Sequence, residues 1–122
     1  MPVARFILLF VESPEASTRW YAALLEEQPI EQSPTFAMFR LAEGLMLGIW
    51  SRHTASPIVT AQPGGSEIGF TVANAASVEA THAAWTAKGV VIAQAPTVMD
   101  FGTTFVGLDP DGHRLRVFAP VT

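Results

Sequence analysis

The sequence has no cysteine among its 122 residues, which excludes disulfides, thiolate metal ligands and cysteine nucleophiles. Charged residues make up only 15% of the chain, and the formal net charge is −4. No run of Lys or Arg offsets this acidic balance, so nucleic acid is not an expected partner. Hydrophobic residues account for 49% of the chain, which is typical of a protein that folds around a core.

A long hydrophobic run is also missing. The most apolar stretch, VARFILLFV at residues 3–11, is too short to cross a bilayer and carries Arg5. It begins close to the first residue and lacks a small-residue cleavage pattern, so a secretory signal is not expected. We therefore predict a cytoplasmic protein with no membrane partner.

The order of the predicted elements divides the chain into two similar halves. Residues 3–11 predict a strand, and a helix follows with Ser13 as its N-cap and Pro14 at its first position. Short strands are predicted next, near residues 28–32, 35–42 and 45–51. The same order then restarts with a strand at 66–72 and a helix at 77–88, and the last strands are predicted near 90–94, 103–108 and 113–119.

This repeat predicts an α+β fold of two βαβββ modules. Module one spans about residues 3–51, a linker 52–64, and module two about 65–120. Val72 closes its strand 61 residues after Val11, half the chain length. At 122 residues we expect the two modules to form one domain, 1–122.

Two motifs carry a family resemblance. The helix reads SxxWYxxLL at residues 17–25, and a DPDG turn at 109–112 precedes the last strand. With two βαβββ halves, the chain resembles the vicinal oxygen chelate superfamily of glyoxalases, bleomycin-resistance proteins and extradiol dioxygenases. Four blocks are most similar to its phenazine antibiotic-resistance proteins: GIWS (48–51), SEIGF (66–70), DFGTTF (100–105) and DPDGHRLRV (109–117).

The resemblance implies one incomplete barrel with a concave ligand cavity, and a homodimer. It also implies a divalent metal held by four side chains in the superfamily's enzymes. The matching positions here are Phe6, Gly48, Glu67 and Arg116. Phenyl and glycine supply no ligand and a guanidinium is a permanent cation, so we expect no metal and no other cofactor.

Strand alternation then sorts the side chains around these positions. If Glu67 and Arg116 share the concave face, pairing them offsets the cost of burying either charge alone, so we predict an ion pair. The alternative is that Arg116 reaches solvent at the cavity mouth. The candidate ligand-binding residues are Phe10, Met46, Trp50, Ser51, Phe101, Arg114, Arg116 and Phe118; no catalytic residue is predicted.

Aromatic and methionine side chains on this face favour a flat aromatic ligand. The leading hypothesis is metal-free binding and sequestration of a planar aromatic molecule, such as a phenazine-like antibiotic, with stacking on Trp50 and Phe101. Alternatively, Trp50 and Phe118 fill the barrel or a dimer interface. Two rival functions stay open: a metal-dependent glyoxalase- or dioxygenase-type enzyme, and an interaction module whose cavity is filled by its own side chains.

Overall fold

The structure, a computed structural model, describes residues 1–121. The chain divides into two compact units, Met1–Ala61 and Gln62–Thr122. Each unit has the order strand, helix and three strands, so the predicted α+β class with two βαβββ modules is confirmed. Within residues 1–121 the strands form two four-stranded sheets, neither of which closes on itself. The incomplete barrel expected from combining the modules stays a prediction.

The first unit contains one helix and one sheet with strand order β1-β4-β3-β2. Strands β1 and β4 are parallel, whereas β4, β3 and β2 are antiparallel neighbours. Its elements are β1 (Phe6–Val11), α1 (Pro14–Leu25), β2 (Glu31–Gln32), β3 (Phe36–Ala42) and β4 (Leu45–Ser51). The predicted strands at 3–11 and 28–32 are therefore shorter in the structure.

Helix α1 begins as its sequence predicts. The Ser13 Oγ accepts a hydrogen bond from the Ala16 amide at 3.2 Å, and Pro14 occupies the first helical position. Proline is favoured there because its fixed φ suits the helix and its missing N–H has no intrahelical partner to lose. The helix ends at Leu25, and Glu26 adopts a left-handed conformation with φ 54°.

The two faces of the first sheet differ in burial. Leu47, Ile49 and Phe39 are fully buried on the face that α1 covers, where the Tyr21 ring lies 6.5 Å from the Phe39 ring. The other face, which carries Phe6, is left uncovered by the unit's own helix, and that residue is 53% exposed. The helix therefore protects one sheet face and leaves an apolar face for other contacts.

The second unit repeats this arrangement with strand order β5-β8-β7-β6. Strands β5 and β8 are parallel, and β8, β7 and β6 are antiparallel neighbours. Its elements are β5 (Glu67–Thr71), α2 (Ala75–Ala87), β6 (Val91–Met99), β7 (Gly102–Leu108) and β8 (Arg114–Pro120). Among residues 1–121, no helix of either unit has the length and apolarity needed to span a membrane.

Two elements of the second unit, α2 and β6, differ from their predicted bounds by more than one residue. Helix α2 begins at Ala75 because the Asn74 side chain caps it, accepting from the Ser77 amide at 2.9 Å. Strand β6 continues to Met99, well past the predicted end at residue 94. It lies at the edge of its sheet and shifts register twice, so Pro96, which lacks an N–H, is tolerated within it.

The core of the second unit lies between α2 and its sheet. The Trp85 ring packs edge-on against Phe70 at 5.8 Å and against Phe105 at 5.3 Å. Leu115 and Val117 of β8 are fully buried on this same face. The alternation that the sequence predicts for β8 is therefore correct: its leucine and valine face the helix, and its arginines face the other way.

Gly102 occupies a position that no other residue suits. It starts β7 with φ 139°, a conformation that L-residues rarely adopt. A Cβ atom there would overlap the Ala119 carbonyl oxygen and lie 3.0 Å from its carbon. The glycine of the DFGTTF block is therefore fixed by close backbone packing.

We predict that Gly102→Ala lowers the free energy of unfolding by roughly 2–4 kcal/mol, because it adds both backbone strain and a backbone overlap. Urea unfolding followed by circular dichroism measures the change. Gly65→Ala is the matched control, since nothing lies within 4 Å of its added Cβ, and it should change stability by less than about 0.5 kcal/mol. Equal effects of the two substitutions would contradict the prediction.

Candidate functional site

The predicted ion pair between Glu67 and Arg116 is present in the second unit. Glu67 begins β5, and Arg116 lies on the neighbouring strand β8, opposite Gly69. The Arg116 Nε donates to Glu67 Oε1 at 2.7 Å, and its Nη2 donates to Oε2 at 3.1 Å. This two-point geometry is the stronger form of an arginine–carboxylate contact.

The same guanidinium reaches two further side chains. Its Nη1 donates to Gln94 Oε1 on β6 and to Thr104 Oγ1 on β7, both at 3.1 Å. The Arg116 side chain is only 19% exposed. Partial burial strengthens these contacts and makes an unpaired charge costly, so the network holds the guanidinium in one orientation.

Arg114 has a different environment from Arg116. Its Nη2 lies 2.5 Å from Glu67 Oε2, so both arginines share one carboxylate. The Arg114 side chain is 42% exposed, and its Nε is buried without a hydrogen-bond partner. Arg114 is thus less constrained than Arg116.

The two arginines also determine the charge state of Glu67. The hydrogen bond from Arg116 lowers the pKa of Glu67 below its ordinary value of 4.5. Burial acts in the opposite direction but is outweighed, because the positive charges of Arg116 and Arg114 lower the pKa further. Glu67 is therefore an anion at neutral pH.

These contacts show that the superfamily's metal does not fit the four matching positions. Only Glu67 is a metal-ligand type, and both of its oxygens already accept from guanidinium groups. Gly48 and Phe6 offer no donor atom, and Arg116 would repel a cation. Elsewhere in residues 1–121, no group of three or more His, Cys, Asp or Glu side chains is placed to hold a metal ion.

A cavity of about 640 Å³ lies on this face of the second unit, and we call it the arginine cavity. It is lined by Gly64, Ala93, Gln94, Met99, Val106, Leu108, Gly112, Arg114 and Arg116. Phe101, at the β6–β7 turn, lies beside it, with the Arg116 Cζ 5.7 Å from its ring centroid. The Phe101 ring also packs edge-on against Phe118 at 6.1 Å. The structure thus brings four predicted ligand-binding residues together.

A second cavity, of about 350 Å³, lies in the first unit on the sheet face that α1 does not cover. We call it the aromatic cavity; it is lined by Phe6, Leu8, Phe36, Met38 and Trp50. The Trp50 ring is half-buried and lies 5.9 Å from the Phe10 ring. Met46 lies on the same face, one strand from Phe6. Every residue lining this cavity is apolar or aromatic.

Gly48 and Ser51 of the first unit differ in what surrounds them. The space beside Gly48 is filled, because a Cβ there would overlap the Leu8 side chain and lie 3.3 Å from the Phe36 ring. Ser51 is buried and lies on the opposite sheet face from Trp50. Its Oγ accepts from the His53 amide at 3.2 Å, so its local contact stabilises the turn after β4.

Among the residues of these sites that the sequence analysis did not predict are Phe36, Met38, Gln94 and Thr104. Phe36 and Met38 lie opposite Trp50 and Gly48 in the antiparallel β3–β4 pair, and extending the alternation to β3 identifies both. Alternation along β6 does not identify Gln94, because the register of β6 shifts on both sides of this residue. Thr104 is fully buried, and only the sheet pairing brings it to Arg116.

Comparisons with known proteins identify relatives over nearly the whole chain. Residues 4–117 match the family model for the Glyoxalase/Bleomycin resistance protein/Dioxygenase superfamily. The phenazine antibiotic resistance protein EhpR of Enterobacter agglomerans is 29% identical over 113 residues, which cover 90% of this chain and 86% of EhpR.

Solved structures agree with these matches. The solution structure of protein ATC0852 from Agrobacterium tumefaciens is 49% identical with a TM-score of 0.91, and all of both chains is covered. A glyoxalase-related enzyme from Fulvimarina pelagi has a TM-score of 0.82 at 23% identity, over 97% of this chain and 87% of that chain. This second similarity shows the fold alone.

We predict that Arg116→Met lowers the free energy of unfolding by about 1–3 kcal/mol, because it removes the donor to Glu67 Oε1, Gln94 Oε1 and Thr104 Oγ1. Arg114→Met is the matched control. Because the Arg114 side chain is more exposed, losing its ion pair with Glu67 should lower the free energy of unfolding by less than about 1 kcal/mol. Chemical unfolding of both variants measures the difference. A larger loss for Arg114→Met would contradict the assignment of Arg116 as the fixed member of the pair.

We also predict a pH signature for Glu67. Because its native pKa is lowered, its ionised form stabilises the fold above the ordinary value of 4.5, and this contribution disappears as the pH falls through the native pKa. The stability difference between wild type and Glu67→Gln should therefore be constant above about pH 5.5 and shrink below about pH 4.5. Unfolding curves at several pH values measure it; a difference that grows on acidification would contradict the prediction.

Proposed function

The chain belongs to the glyoxalase/bleomycin resistance protein/dioxygenase superfamily, and we propose that it binds and sequesters a planar aromatic small molecule without a resident metal ion. The ligand we propose is a phenazine-like antibiotic, whose capture would confer resistance. The proposal includes the homodimer and the cytoplasmic location that the sequence analysis expects.

The observation that carries this proposal is the composition of the aromatic cavity. Its lining combines the rings of Phe6, Phe36 and Trp50 with the flexible side chains of Met38 and Leu8. A flat ligand there gains area burial from the aliphatic groups and offset or edge contacts from the rings. The volume of about 350 Å³ lies within the range of small-molecule sites.

The exposure of the cavity residues also favours a ligand. Phe6 is 53% exposed although it lies on a strand whose other face is buried. Apolar surface is stabilised when it is removed from water, and an exposed phenyl ring lacks that stabilisation. A ligand that covers the ring would supply it. Binding would therefore be driven mainly by the removal of apolar surface from water.

The relatives support the antibiotic part of the proposal. EhpR is a phenazine antibiotic resistance protein and is similar to this chain over 90% of its length. At 29% identity, this similarity supports a shared class of ligand. The family also contains enzymes, so family membership does not distinguish a protein that binds a ligand from one that converts it. The proposal of binding alone depends on which side chains this protein has.

Those side chains favour binding over metal-assisted catalysis. A metal in this family would need donor groups at Phe6, Gly48 and Arg116, and none of these residues provides one. The remaining position, Glu67, is engaged by two guanidinium groups. The residues at the four matching positions are therefore suited to a role in which Glu67 holds the two arginines in place and balances part of their charge.

Calorimetric titration of EDTA-treated protein with phenazine tests the proposal. We expect saturable binding with a dissociation constant on the order of 1–10 µM, and Trp50→Leu should weaken it by at least about tenfold, because it removes a ring from the cavity. Trp20→Leu is the matched control: Trp20 lies on α1 against Tyr21, and its loss should leave the affinity within about twofold.

Two results would contradict the proposal. Absence of saturable heat with folded wild-type protein up to the solubility limit of phenazine would remove the phenazine assignment. Stoichiometric Fe, Ni, Zn or Mn in protein purified without chelator would instead favour the metal-dependent enzyme, and ligand turnover would then be measured.

A further inference from the structure

The arginine cavity is lined by both charged and apolar side chains. Arg114 and Arg116 supply the charges, while Val106, Leu108 and Met99 contribute apolar side chains. Its volume of about 640 Å³ is sufficient for a small organic molecule. Such a lining suits a ligand that carries one polar group on an apolar body.

The charged cluster at the cavity contains more positive than negative groups. Two guanidinium groups, those of Arg114 and Arg116, face a single carboxylate, that of Glu67. The cluster of Glu67, Arg114 and Arg116 therefore carries one excess positive charge, which a monoanion would neutralise.

The contacts of the two arginines identify which one is available to a ligand. Arg116 makes four hydrogen bonds, two to Glu67 and one each to Gln94 and Thr104. Arg114 contacts Glu67 through Nη2 and keeps 42% of its side chain exposed. Arg114 can therefore turn toward a bound anion without breaking the network around Arg116.

From this arrangement we propose that the arginine cavity binds the carboxylate of an organic acid, with Arg114 as the anchoring residue. Arginine presents paired N–H donors that match the two oxygens of a carboxylate. The apolar lining favours an organic acid over inorganic phosphate, whose second charge the cluster would leave unbalanced. Arg116 acts as a positioning residue, because it holds Glu67 and so limits where Arg114 can lie.

This inference rests on the proposed function in one respect: it assumes that the organic part of the acid is aromatic. Phe101 is 46% exposed beside the cavity, and its ring contacts both Phe118 and the Arg116 guanidinium. An aromatic acid would meet this ring as its carboxylate reaches Arg114. The aromatic acid is therefore the ligand class that we test.

The experiment compares two ligands that differ by one group, phenazine and phenazine-1-carboxylate, at neutral pH. We expect wild-type protein to bind the carboxylate at least about tenfold more tightly than phenazine. Arg114→Met should remove this preference and bring the two affinities within about twofold of each other. Arg19→Met is the matched control, because it removes an equal charge from an exposed pair with Glu15 and should keep the preference.

The outcomes separate this inference from the proposed function. If neither ligand binds, the proposed function and this inference both fail. If both bind equally to wild type, or if folded Arg114→Met keeps the preference, aromatic binding stands and the carboxylate site is wrong.

A second variant decides the question if Arg114→Met does not fold. Glu67→Gln removes the carboxylate that competes with the ligand for Arg114, so it should increase the preference for phenazine-1-carboxylate several-fold above wild type. An unchanged or smaller preference in folded Glu67→Gln would overturn the proposal.

Discussion

The Arg116 guanidinium is the group on which the uncovered face of the second sheet depends. From β8 it donates to Glu67 on β5, Thr104 on β7 and Gln94 on β6, so one side chain joins all four strands. Hydrophobic packing supplies this link on the helix-covered face, where Leu115 is fully buried. On the uncovered face a directional polar network replaces it, and each member needs the others to offset its desolvation.

This network also gives Arg116 a structural role at a position where the sequence resemblance implies a metal ligand. In the family's enzymes a cation and its ligands would occupy this face, whereas here the guanidinium itself supplies the positive charge. Glu67 is the acidic partner of that charge, and its pKa is lowered by the hydrogen bond from Arg116 and by the positive charges of Arg116 and Arg114. A guanidinium cannot accept electron pairs as a Lewis acid, so Arg116 at this position supports the binding function that we propose.

The two units use the same topology for different surfaces. In the first, Trp50, Phe36 and Met38 form an apolar cavity on the uncovered sheet face. In the second, the corresponding face carries arginines, and its cavity is partly polar. The covered faces of both sheets are aliphatic and aromatic, as core packing requires. Each sheet therefore carries its core side chains on one face and its cavity side chains on the other, because strand alternation places neighbouring residues on opposite faces.

The sequence by itself determined the element order, the cap of α1 and the face of each side chain in β1, β4, β5 and β8, because these depend on local chemistry and a period of two. It also predicted the pairing of Glu67 with Arg116. Only the tertiary structure decided that Gln94 and Thr104 complete that pair, that Leu8 and Phe36 fill the space at Gly48, and that Gly102 is fixed. Those features depend on bulges, register and close approach between strands, which residue order does not encode locally.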